Sequence, residues 1–252
     1  MKAFVPVLLL AVLLAGQPAR GQVAVRADST RFNAKELIAP GVLLGAGTLI
    51  HCFGHDAIDV PVQQAAMRWR TGSGGLTFSD FMSVLPVVPV VVDVGLGVTG
   101  VKAQHGFVDR ALEAAIAASF VAGTGMLMKK FIYSPRPDGT DDNSFPSGHT
   151  CVAFMGAELV RMEYGWGWGT GAYVVAAAVA MMRSYHERHW LSDLLAGAGV
   201  GILGAHVGRW LLEPARHSLG LDRVGGKDVQ ASLVPYVDPL SGSFCASLAF
   251  NF

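Results

Sequence analysis

The chain has 252 residues, of which 52% are hydrophobic and only 15% charged, against roughly 25% charged in an average soluble protein. With a mean hydropathy of +0.42, this composition points to helices embedded in a membrane. The 19 basic residues are balanced by 19 acidic ones, so the chain has no overall attraction for nucleic acid, and a DNA or RNA partner is not expected.

The first segment, residues 1–21, reads as a secretory signal: Lys2, an apolar run from Phe4 to Ala15, then the small residues Ala19 and Gly21. An uncleaved anchor is the alternative, although the run is short for a membrane crossing. Residues 22–80 are expected to form an extracytoplasmic and interfacial segment. Its apolar stretch 37–53 is interrupted by Pro40, and "HDAIDVPVQQAAMRWR" mixes polar and apolar residues at helical spacing. That second stretch suits a helix on the membrane surface or one covering a bundle.

Further apolar segments follow at 81–100, 107–128, 150–163, 168–182 and 193–213. In "LLAGAGVGILGAH" the small side chains permit close helix approach. The predicted fold is all-α, a membrane-embedded bundle of about five to six helices, with a core over 81–214 and a tail over 215–252. In the tail, "VQASLVPYV" and the alternating "SFCASLAFNF" flank a "DPLSG" turn signal and predict a β-hairpin. Cys52, Cys151 and Cys245 are too scattered for a disulfide framework or a zinc site.

Polar chemistry concentrates in three islands, each at the end of an apolar segment. In "KKFIYSPRPDG", Lys129 closes a helix and Arg136 follows between two prolines, so both cations can face one loop and grip an oxyanion. Snorkelling to the interface is the plainer role for such a pair taken alone. In "SFPSGHT", Ser147 is a good N-cap and Gly148 allows a ligand close to the backbone, where the start of a helix favours anions; His149 stands beside it. In "RSYHERHWLSD", Arg183 ends one segment, and His189 and Asp193 lie one helical turn apart. A carboxylate there can accept from one ring nitrogen and expose the other. His186 has no third ligand spaced to make a metal site with His189.

Taken jointly, K-x6-R-P, P-S-G-H and R-x5-H-x3-D resemble the type 2 phosphatidic acid phosphatase superfamily, over roughly residues 107–213. That family includes membrane lipid phosphatases, soluble bacterial acid phosphatases and vanadium haloperoxidases. Met182 stands where the family often has serine. The resemblance implies His189 as nucleophile, Asp193 as its polarising partner and His149 as general acid. It further implies Lys129, Arg136, Ser147, Gly148 and Arg183 as the phosphate clamp, with no metal and no cofactor. The expected activity is hydrolysis of a phosphate ester or pyrophosphate on an envelope lipid such as lipid A, undecaprenyl pyrophosphate or a phosphatidyl phosphate. An exported acid phosphatase for small phosphomonoesters and a vanadate-dependent haloperoxidase are the alternatives.

The expected partners are the lipid substrate and the membrane, with no obligate protein partner. If stretch 37–53 does not cross, everything up to residue 80 stays outside the cytoplasmic membrane. Cations such as Lys102, Arg161, Arg209 and Arg216 then mark the cytoplasmic face, and the site is expected to face the periplasm.

Overall fold

A run of small residues lets one helix be surrounded by others, and the stretch from Leu191 has five glycines and alanines between positions 196 and 201, at Ala196, Gly197, Ala198, Gly199 and Gly201. In the computed structural model, which describes residues 32–72, 84–96 and 101–221 and the two strands at 230–237 and 244–251, that stretch is the longest helix. The expected signal at 1–21 and the turn between the strands lie outside the described residues.

The α-helices are α1 (Ile38–Phe53), α2 (Val60–Gly72), α3 (Val88–Leu96), α4 (Phe107–Phe131), α5 (Gly148–Tyr164), α6 (Trp166–Tyr185) and α7 (Leu191–Ser218). Strands β1 (Gln230–Val237) and β2 (Phe244–Asn251) pair antiparallel, from Gln230 opposite Asn251 to Val237 opposite Phe244. The architecture is therefore an all-α bundle with a C-terminal hairpin. Three helical stretches, Ala34–Phe53, Phe107–Phe131 and Leu191–Ser218, are long and apolar enough to cross a membrane. The first two turn most of their surface outward, whereas α7 is largely enclosed by its neighbours.

Glycine decides how closely α7 is approached. A Cβ at Gly197 would stand 2.8 Å from the Ser147 carbonyl oxygen, and one at Gly208 2.7 Å from that of Glu113. Gly197 thus brings the start of α5 against the first turns of α7. Two apolar clusters hold the rest. Ala153, Ala157 and Val160 of α5 pack with Val175, Ala176 and Val179 of α6, and Cys151, Met155 and Leu159 pack with Ala117, Val121 and Val200 of α4 and α7.

Pro40 does not interrupt the first apolar stretch. It is the third residue of α1, in the first turn, where N–H groups lack intrahelical partners and a missing one costs little. α1 runs the length of α7 in the opposite direction. At one end Trp210 Nε1 donates to Glu36 at 3.1 Å; at the other, beyond α1, Asp59 accepts from Ser192 N at 2.9 Å and Ser192 Oγ at 2.7 Å. This continuous apolar helix is thus tied down at both ends of the bundle.

α2 is polar enough to need only a partial partner. Gln63, its one buried residue, exchanges hydrogen bonds of 3.0 Å with the carbonyl and hydroxyl of Ser184 at the end of α6. Trp69 packs edge-on against Tyr185 with ring centroids 4.9 Å apart.

Candidate active site

Four helix ends meet at one end of the bundle: the last turns of α4 and α6 and the first turns of α5 and α7. Lys129 stands in the last turn of α4, and its Nζ donates to the Asn143 carbonyl at 2.5 Å. Residues 132–147 then fold back on themselves. Ser134 N donates to Asp142 O at 3.2 Å, Arg136 N to Asp141 O at 3.0 Å and Ser144 N to Ser134 O at 2.9 Å. Gly139, at φ +67°, makes the reversal, a conformation that glycine adopts without Cβ strain. Arg136 is steadied by Asp141, with Nε 2.9 Å from Oδ1.

The second loop, between α6 and α7, is fastened to the first. Asp138 N donates to Glu187 O at 3.1 Å, Arg188 Nη1 lies 3.1 Å from Asp138 Oδ2, and Trp190 Nε1 donates to Pro135 O at 2.7 Å. Ser147 N donates to Asp193 O at 3.1 Å, joining the start of α5 to that of α7. Asp193 also reaches back to accept from Trp190 N at 2.8 Å, the reciprocal part of a capping box. Ser147 precedes α5 as expected, yet its side chain caps no backbone N–H. Its Oγ accepts instead from Thr150 Oγ1 at 3.0 Å.

These ties bring Lys129, Arg136, His149, Arg183 and His189 within electrostatic reach of one another. His149, in the first turn of α5, is pushed down to about 4 by burial and then by the charges of Arg183, His189, Arg136 and Lys129. The side chain of His189 is almost fully buried. Its pKa is lowered, burial being the largest cause; Asp193 opposes the shift, while Arg183 and Arg136 add to it. Arg183 keeps a buried Nε with no hydrogen-bond partner among the described residues. A buried cationic donor of this kind, facing neutral imidazoles, suits an anion with several oxygens.

The expected direct contact between His189 and Asp193 is long: Nδ1 lies 3.5 Å from Oδ2. Ser144 stands between them. This fully buried hydroxyl donates to Asp193 Oδ2 and lies 3.3 Å from His189 Nδ1. Ser144 lies inside the "SFPSGHT" stretch that singles out His149, but its spacing from His189, 45 residues on, carries no periodic signal. Asp59 is likewise invisible in sequence, because the helix start it supports lies 133 residues away.

Parts of this chain are similar to known proteins. Residues 111–216 match the PAP2 superfamily. A lipid A 1-phosphatase from Porphyromonas gingivalis is 49% identical over 80 residues, covering 30% of this chain and 18% of that protein's length. The crystal structure of a transmembrane PAP2 type phosphatidylglycerolphosphate phosphatase from Bacillus subtilis covers 72% of this chain and 97% of its own, at 20% identity and a TM-score of 0.48. All eight site residues read from the sequence fall within the region that is similar to the PAP2 superfamily.

Proposed function

We propose that the protein is a phosphatase that removes phosphate from an envelope lipid through a phosphohistidine, without needing a metal. The observation that carries this reading is the convergence of three cations and two low-pKa imidazoles at one end of an apolar bundle. There a headgroup can enter while the acyl chains remain among the helices.

In this reading Lys129, Arg136, Arg183, the Ser147 hydroxyl and the Gly148 amide hold the nonbridging oxygens, where charge must be stabilised during transfer. His189 Nε2 attacks phosphorus in line, the P–O bond to the lipid breaks, and His149 donates a proton to the departing oxygen. Water then attacks the phosphohistidine, His149 takes its proton, the P–N bond breaks and inorganic phosphate leaves. His149 must carry a proton for the first step. A bound phosphate anion offsets the surrounding cations and draws that proton on, so substrate supplies part of its own acid.

A lipid A phosphate ranks first among candidate substrates, supported by the relative named lipid A 1-phosphatase. Undecaprenyl pyrophosphate and phosphatidic acid follow. The test is phosphate release by the full chain in detergent micelles, with chelator present, from these three lipids and from a soluble phosphomonoester. Turnover of a lipid is expected, with a loss of roughly a thousandfold or more in His189→Ala. Undiminished turnover in that variant overturns the mechanism, and turnover of the soluble ester alone overturns the lipid assignment.

A further inference from the structure

We infer that Ser144 is a positioning residue that fixes the tautomer of His189, an inference that rests on His189 being the nucleophile. A carboxylate, a hydroxyl and an imidazole lie in sequence in a fully buried place. Ser144 Oγ bonds Asp193 Oδ2 and lies 3.3 Å from His189 Nδ1, while Nδ1 and Oδ2 are 3.5 Å apart. The last distance is too long for a good direct hydrogen bond.

The direction of each bond follows from counting protons. An ionised Asp193 only accepts, and the Ser144 hydroxyl has a single hydrogen, so that hydrogen goes to Oδ2. What remains on Oγ is lone pairs, and a lone pair can hold Nδ1 of a neutral imidazole only if Nδ1 carries the proton. His189 is then protonated at Nδ1 and bare at Nε2, the form required of a nucleophile that attacks through Nε2. Asp193 therefore holds the ring through Ser144 as well as by its own charge.

Oδ2 is doubly engaged, since it also accepts from Trp190 N at 2.8 Å. The carboxylate is consequently held by the start of α7 and does not have to move to reach the ring. The Ser144 backbone is anchored independently, its N–H donating to Ser134 O at 2.9 Å. Without the hydroxyl, Nδ1 faces only the Asp193 carboxylate at 3.5 Å, and the preference for the Nδ1–H tautomer is weakened.

The test is 15N NMR of histidine-labelled full-length protein in detergent micelles, with the His189 signals assigned by their loss in His189→Ala. The expected spectrum of the unaltered protein has a protonated Nδ1 and a bare Nε2. In Ser144→Ala the ring is expected to become a mixture of tautomers, and in Ser144→Thr, which keeps a hydroxyl, to retain the original one. With whichever lipid in the panel is hydrolysed, Ser144→Ala is expected to lower kcat about 10- to 100-fold with little change in KM. An unchanged tautomer in Ser144→Ala overturns the inference, even if kcat falls, because the loss is then merely structural. Failure of the nucleophile assignment is distinguishable: it appears as activity persisting in His189→Ala, whatever tautomer the spectrum reports.

Discussion

His149 shows how far neighbours can move one group. Burial and the charges of Arg183, His189, Arg136 and Lys129 hold it at about 4, well below the usual value near 6.5, so these neighbours keep it neutral at pH 7. Each nearby cation disfavours the imidazolium. Removing one must therefore raise the pKa. In Lys129→Gln, titration of the His149 ring by NMR is expected to show a midpoint shifted upward, toward 6.5. Vanadate, an anion that can occupy a phosphate site, is expected to shift the midpoint of the unaltered protein in the same direction. A downward shift in either experiment contradicts the electrostatic account of the site.

The elements matter because no single one contains the site. α7 carries Asp193 in its first turn, and Asp59, which belongs to the one-turn π-helix His55–Asp59 between α1 and α2, holds that turn from outside the matched region. Asp59 is fully buried and accepts from both the amide and the hydroxyl of Ser192, a favourable place for a negative charge near a helix N-terminus. Asp59→Ala leaves two buried donors without this acceptor, each worth about 1–3 kcal/mol when unsatisfied. The variant is expected to melt at a lower temperature and to turn over more slowly, measurable by thermal unfolding in detergent and by phosphate release. An unchanged melting temperature would show that Ser192 finds another acceptor and that Asp59 does not hold the turn.

At the scale of the whole molecule, α1 links the location of the N-terminal segment to the direction the site faces. Glu36 lies with Trp210 at the end of the bundle away from the site, so residues just before α1 and the catalytic loops lie at opposite ends. The far end is built on buried ion pairs, among them Arg209 with Glu113 at 2.7 Å and Arg216 with Asp109 at 2.6 Å. Such pairs inside an apolar bundle face inward because an isolated charge in lipid is costly. Lys35, Lys102, Arg161, Arg209 and Arg216 all belong to this end, and on the positive-inside principle we propose that it is cytoplasmic and the site periplasmic. The site end retains Arg68, Arg70, Lys130 and Arg188 after its phosphate-facing cations are set aside, so labelling decides the matter. In a Cys52→Ser, Cys245→Ser background, Asp142→Cys places a thiol on the exposed loop. A membrane-impermeant maleimide is expected to label it in intact cells; labelling only after permeabilisation reverses the orientation.

Local patterns were enough to indicate the helical bundle, the terminal hairpin and the three polar islands, because apolar periodicity, glycine content and typed spacings are properties of short stretches. Pro40 shows the limit of such reading: a proline is tolerated in the first turn of a helix, and the sequence pattern does not show that α1 begins at Ile38. Ser144 shows the same limit at the site. Its partners are 45 and 49 residues away, and only the close approach at Gly197 and the two stapled loops bring them within hydrogen-bond range. The sequence by itself determined which chemical groups are available and that most of the chain is apolar helix. Tertiary structure alone decided which groups meet, because hydrogen bonds and charge interactions depend on distances of a few ångströms that spacing along a chain does not set.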